Sequence, residues 1–240
     1  MLDEMPRDEV LTIIDQVVEE ILTAARIVEP PVDAIALAQG HLGMVVCLDR
    51  KQPQRGRAQR ASGQRHIVLR PEPTEERHQW TVAHEIGEHL KSSLLQRLES
   101  APADTGALAG ESLANLFAYR LLVPSCWFNG DAREAGYDLP RLKTRYRTAS
   151  HEVIAWRFLD LPEPSIITIF DNEHVHRRRR SNAFRVTRTL EPIERRCQEY
   201  VHYYSRPQVL RESAWTVHGW PIHQADWKRE ILRSVVDEEG

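Results

Sequence analysis

Two histidines and two glutamates crowd into ten residues, Thr81-Val82-Ala83-His84-Glu85-Ile86-Gly87-Glu88-His89-Leu90. Imidazole nitrogens and carboxylate oxygens are ligands for divalent ions, and a carboxylate beside such an ion can take a proton from its water. A helical H-E-x-x-H segment does both, with ligands at i and i+4 and the glutamate next to the first. Here His84 and Glu85 fill the first two places, Glu88 stands at i+4, and a histidine follows at 89. Residues i and i+4 share a helix face. His84 and Glu88 are therefore the expected metal ligands, and Glu85 the expected catalytic base. His89 is turned by about 140° from His84, at about 100° per residue. It is an alternative ligand only if the helix is distorted, for instance by a π-bulge at Gly87. A charged, solvated helix without chemistry is the competing explanation. Trp80, Val82, Ala83, Ile86 and Leu90 count against it, because ionised groups on a buried helix need a partner or a metal.

Catalytic sites of this kind take three protein ligands and keep one position open. The segment Glu111-Ser-Leu-Ala114-Asn115-Leu-Phe117-Ala118-Tyr-Arg-Leu121-Leu122-Val123-Pro124 reads as a second helix, stopped by proline. Glu111 stands at its start. An antiparallel packing of this helix on the first could bring the Glu111 carboxylate to the ion.

The two helices together resemble the ImmA/IrrE family of metallo-endopeptidases. That family pairs A-H-E-[LI]-G-H with a downstream E-x-x-A-N-x-F-A-x-x-L-L-[MV]-P. This chain has Ala83-His84-Glu85-Ile86-Gly87, then Glu111, Ala114, Asn115, Phe117, Ala118, Leu121, Leu122, Val123 and Pro124 at the matching places. The resemblance spans roughly residues 31–182. It implies His84 and Glu111 as ligands and Glu85 as general base. Arg77 matches a family arginine and is expected to pair with a carboxylate near the site. The chain departs from the pattern at Glu88, where the family usually has histidine.

Several expectations follow for the chemistry. One histidine and two carboxylates would neutralise a divalent ion, where two histidines and one carboxylate leave a net positive charge. The ion is then a weaker Lewis acid, and an oxygen-richer set shifts preference from zinc toward manganese or iron. One divalent ion is expected, zinc first. The resemblance implies a protein substrate, a helix-turn-helix transcriptional repressor cut at one site. The alternative is a catalytically weak member that binds a regulator as an interaction module. His151, at the start of a later helix, is a candidate stabiliser of the transition state.

Composition sets the frame. The 240 residues carry 32 Lys and Arg against 35 Asp and Glu, a net charge of −3 that does not argue for nucleic acid or membrane. Cys47, Cys126 and Cys197 are far apart and odd in number, with neither metal spacing nor a disulfide pattern. They read as core residues of a cytoplasmic protein. No apolar run has the length of a membrane span.

Around the two helices the element pattern is α+β. Val10, Ile13, Ile14, Val17, Val18, Ile21 and Leu22 fall at helical spacing within Asp8 to Val28. A short helix (Val32 to His41) and a strand (Met44 to Leu48) follow. Lys51 to Gln64 lacks periodicity and reads as a basic loop. His66 to Arg70 reads as a strand, Trp127-Phe128 as part of a loop after the second helix, and Leu139 to Tyr146 and His151 to Leu159 as helices. Ser165 to Phe170 and His174 to Arg177 form an expected hairpin turning at Asp171-Asn172. The run Arg177–Arg180 is a weak candidate phosphate contact; direct nucleic-acid binding is not expected. A helix over Glu191 to Tyr204 precedes strands, or a strand and a helix, up to Val236. The expected fold is a mainly helical zincin-like protease domain with a small mixed or antiparallel sheet, and a small C-terminal α+β appendage. The expected division is an N-terminal helix (1–30), the metallopeptidase domain (31–164) and the C-terminal region (165–240).

Overall fold

A 25-residue helix, α3 (Glu75–Glu99), is the axis of the first part of the chain. The computed structural model describes residues 7–99, 113–181 and 189–236. Glu111 lies outside the described residues. The chain forms two compact units: the described residues up to Tyr137 with Thr144–Ser150, and Asp138–Lys143 with the described residues from His151 onward.

In the first unit, α1 (Arg7–Ala24) buries Val10, Ile14, Val17, Val18 and Leu22 and packs on α3 and on α4 (Leu113–Leu122). Its apolar stripe thus serves the core. The short helix α2 (Ala34–Gly40) is capped by Asp33, whose Oδ1 accepts from the Ala36 N–H at 2.9 Å. Gln79 of α3, 1% exposed, ties α2 down by accepting from the Ala34 N–H at 2.7 Å and donating to Asp33 at 2.9 Å. A buried amide is well satisfied by such a two-way link.

Three strands cover another side of α3: β1 (Val45–Leu48), β2 (Gly56–Ala61) and β3 (Gln64–Leu69), in the order β1-β3-β2. β1 runs parallel to β3 and β2 antiparallel. The expected loop over Lys51 to Gln64 is therefore largely the outer strand β2. Its hairpin turns on Ser62 and Gly63, at φ 51° and 79°, the positive-φ pair that a two-residue hairpin requires. The polar strand Gly-Arg-Ala-Gln-Arg-Ala hides its period because none of its residues is fully buried: Gly56, Ala58 and Gln59 are part-buried and the rest exposed. A second expectation also changes. Trp127 and Phe128 lie in a helix, α5 (Ser125–Glu134), with Phe128 and Ala132 fully buried. Pro124 ends α4 and also occupies the N-cap position of α5.

The second unit takes in most of α6 (Leu139–Arg145), then α7 (His151–Arg157) and a 3-10 turn (Phe158–Asp160). Its sheet is antiparallel throughout: β4 (Ser165–Asp171), β5 (His174–Arg180), β6 (Gln208–Glu212), β7 (Trp215–Pro221) and β8 (Arg229–Val236), in the order β5-β4-β8-β7-β6. The β4–β5 turn falls one residue later than expected, on Asn172 and Glu173, both at positive φ. Helix α8 (Pro192–Tyr204) starts with a capping box between Glu191 and Glu194. It packs on β6, β7 and β8, while α7 and the 3-10 turn pack on β4. Cover on both faces explains why β4 is apolar without alternation. Phe170, Ile193, Cys197, Val201, Val217 and Leu232 form the core under α8. Of the tryptophans in this part of the chain, Trp220 is buried, whereas Trp227 is 41% exposed.

Among the described residues the fold is α+β, with eight α-helices, a three-stranded mixed sheet and a five-stranded antiparallel sheet. None of these helices is long and apolar enough to cross a membrane. Cys197 is buried as expected, its thiol pushed up to about 12 by burial, but Cys47 and Cys126 are exposed.

Candidate metallopeptidase site

His84 and Glu88 stand one turn apart on α3, with His84 Nε2 4.0 Å from Glu88 Oε1. Both side chains are partly open to solvent, at 27% and 32%. Two tetrahedral ligand atoms on zinc sit about 3.3 Å apart, given bonds of about 2.0–2.1 Å. A small rotation of the flexible Glu88 side chain covers the difference. Lys91 Nζ lies 3.6 Å from Glu88 Oε2 and already offsets part of its charge.

The other nitrogen of His84 is held by α4. Asn115 Oδ1 lies 2.9 Å from His84 Nδ1. An amide oxygen only accepts, so Nδ1 carries the proton and Nε2 keeps its lone pair on the Glu88 side. That is the tautomer a metal-binding imidazole needs, fixed by a partner behind it. Close approach of the two helices makes the contact. A Cβ on Gly87 would lie 2.9 Å from the Ala114 Cα and 3.2 Å from its oxygen. Gly87 and Ala114 are thus small because α3 and α4 touch there.

Glu85 points to the sheet side and is 7% exposed. Burial pushes its carboxyl above the ordinary range; the neighbouring His84 and a hydrogen bond from the Ala58 backbone N–H pull the other way without cancelling it. The strand β2 supplies that bond because Gly56 lets it press onto α3. A Cβ at Gly56 would fall 2.3 Å from Thr81 Cγ2 and 2.7 Å from Glu85 Oε1. The basic stretch read as a loop is therefore the wall of the site. Its sequence signal was Ser62-Gly63, a hairpin turn between short runs.

His89 faces elsewhere. Its Nε2 lies 3.0 Å from the His66 carbonyl oxygen of β3, so it ties α3 to the sheet. Arg77 Nη1 lies 3.5 Å from Glu72 Oε2, in a group with Arg70 at 3.2 Å and Arg55 at 3.8 Å on Oε1. Burial raises the Glu72 carboxyl, but these three guanidinium groups outweigh it and hold it below the usual range. His151 is the first residue of α7, in the second unit.

The four-arginine run has partners inside the second unit. Arg178 makes a bidentate pair with the fully buried Glu194 at 2.9 Å on each arm, and Arg177 lies 3.3 Å from Glu152. Arg179 stacks over Trp156 at 4.9 Å. Alternation along β5 sends Arg178 to the α8 side and its two neighbours to the other.

Comparison with known proteins bears on the domain and the fold. The family model of the IrrE N-terminal-like domain, a peptidase family, matches residues 39–158. No curated protein matches the sequence. Among solved structures, a Mycobacterium tuberculosis transcriptional regulator is similar over 97% of this chain and 81% of its own, with a TM-score of 0.65 and 17% identity. At that identity the likeness is one of fold. The matched domain covers half of the chain and contains α3, the outer strand β2 and α4, and on that ground the chain belongs to the ImmA/IrrE family, a family of metallopeptidases built on the IrrE N-terminal-like domain.

Proposed function

We propose that the chain is a metal-dependent endopeptidase of narrow specificity, cutting a protein regulator such as a helix-turn-helix transcriptional repressor. The observation that carries this is the Asn115–His84 bond, which presents the His84 Nε2 lone pair on the face shared with Glu88. A His and carboxylate donor set fits a divalent ion of the zinc class; members of the family typically use zinc. In this reading His84, Glu88 and Glu111 hold one ion. When bound, the ion supplies Lewis acidity to the scissile carbonyl and a more acidic water.

The chain's own residues do the rest. Glu85 takes the water's proton and delivers it to the leaving amine. A carboxyl raised by burial is better matched to both halves of that transfer than one in open solvent. Ala58 N–H orients it. β2 is an edge strand of its sheet. An extended peptide laid along it would bring its carbonyls past Glu85, as added strands do on open sheet edges.

The test is a comparison of new protein N-termini in cells expressing the wild type or Glu85→Gln. A cut in a helix-turn-helix regulator that is present with wild type and absent with Glu85→Gln is the expected result. Equal cleavage by both would sink the reading. The Glu88–Lys91 contact favours a second reading, a weak peptidase that sequesters its regulator, because a carboxylate already paired with Lys91 is a poorer ligand. Regulator binding by metal-stripped protein, without cleavage after metal is restored, would select it.

A further inference from the structure

Glu194 on α8 and Glu230 on β8 both lie between that helix and the sheet, and both are fully buried. Glu194 is neutralised by the Arg178 fork. Glu230 has neither arginine nor lysine as an ion-pair partner among the described residues. Its Oε1 lies 2.9 Å from His202 Nδ1 and 2.8 Å from His223 Nε2. Its Oε2 accepts from Gln198 Nε2 at 3.4 Å. A buried carboxylate demands compensating positive charge. Here the place for it is where two imidazole nitrogens converge on one oxygen.

The three ligand atoms lie within 4.8 Å of one another and come from three separate places: the last turn of α8, the β7–β8 connection and β8. Each donor also has an outer neighbour, hydrogen-bonded in the case of His223 and Glu230. Ser205 Oγ lies 3.0 Å from His223 Nδ1, and Glu173 Oε1 lies 3.7 Å from His202 Nε2. Gln198 holds the second oxygen of Glu230. Such outer partners fix ring orientation in metal sites and raise the basicity of the ligand nitrogen. Spreading the two nitrogen–oxygen separations to about 3.3 Å, as tetrahedral bonds of about 2.0–2.1 Å require, needs shifts of about half an ångström. The imidazoles are 12% and 14% exposed, so an ion can reach them.

We propose that His202, His223 and Glu230 bind one divalent transition-metal ion of the zinc class, distinct from any ion at His84. The ion replaces the protons between the two rings and the carboxylate. It fastens the end of α8 to the β7–β8 connection and to β8. Two neutral imidazoles and one carboxylate suit zinc or ferrous iron better than the hard ions magnesium and calcium.

The experiment is zinc stoichiometry by equilibrium dialysis and elemental analysis on the full chain, with His84→Ala, His223→Asn and the double variant. Wild type is expected to bind about two equivalents, each single variant about one and the double variant none. Zinc held by His84→Ala and lost in the double variant supports the site whether or not the peptidase site loads. Unchanged stoichiometry in His223→Asn, or no zinc on folded His84→Ala, overturns it and leaves a hydrogen-bonded cluster. A zinc loss seen only in His84→Ala leaves the peptidase reading standing and removes this one. Cobalt titration of His84→Ala guards against a misfolded His223→Asn. A visible band at low millimolar cobalt or below, abolished by excess zinc, is expected; its absence also overturns the proposal.

Discussion

Asn115 acts on His84 without being a ligand in the proposed site. Its oxygen fixes the proton on Nδ1, and loss of such a partner typically weakens metal binding by about 10–100-fold. Asn115→Ala should therefore show that loss in competition with a chromophoric chelator, while circular dichroism and the unfolding midpoint change little. Glu85→Gln should do the opposite: metal content stays, and turnover falls by roughly 10²–10⁴, the share that a positioned acid–base group supplies. The spacing of His84 and Glu88 already places them on one face, and they stand 4.0 Å apart. The role of His89 was not legible, because its partner is a carbonyl of a strand 23 residues earlier. Nor was the cluster of His202, His223 and Glu230. Its members follow no metal spacing; only the pairing of β7 with β8, with Pro221 opposite Glu230, brings the last two together.

Helices were easier to read than strands, and the reason is local. Heavily apolar stretches such as α1 and α4 show their period in the chain itself, whereas β2 is a polar strand defined by its pairing with β3 and its pressure on Glu85. α5 was hidden for a different reason: Pro124 looks like a stop but also begins the next helix. Gly87 gives the sharpest test at this level. In a solvent-facing helix, glycine to alanine would stabilise by about 1 kcal/mol. Here the added methyl meets the Ala114 backbone at 2.9 Å, and overpacking of that kind costs about 1–3 kcal/mol. Gly87→Ala should lower the denaturant midpoint, and it should also loosen the Asn115–His84 bond and with it metal affinity. A rise in the midpoint would mean that α3 and α4 do not approach so closely. In the second unit, Arg178→Ala strands the buried Glu194 carboxylate. Removing one member of a buried pair costs about 3–5 kcal/mol, so chemical unfolding should report a loss of that order, with a smaller loss for Arg178→Met/Glu194→Leu.

At the scale of the whole chain, acid response is set by carboxylates held by arginine in both units. Glu72 sits among Arg55, Arg70 and Arg77 in the first. Asp171 accepts from Arg229 at 2.7 and 2.8 Å in the second, and Trp227 Nε1 adds a bond at 3.2 Å. Burial raises both carboxyls, but the arginines win and both lie below their ordinary values. The sign follows from linkage. A carboxyl depressed in the folded state binds its proton more readily when unfolded. Its stabilising contribution is complete above the unfolded value, about 4 for aspartate and glutamate, and is lost as pH falls through the lower folded value. Each unit has its own such group, so neither is spared by acid. Asp171→Asn removes the charge in the second unit alone. Its unfolding midpoint should fall below wild type at neutral pH, and the gap should close as the pH is taken down past about 4. Tryptophan fluorescence follows the transition, since four of the six tryptophans, Trp156, Trp215, Trp220 and Trp227, lie in the second unit. A gap that stays constant down to strongly acid pH would mean that the Asp171–Arg229 pair contributes packing and no charge stabilisation.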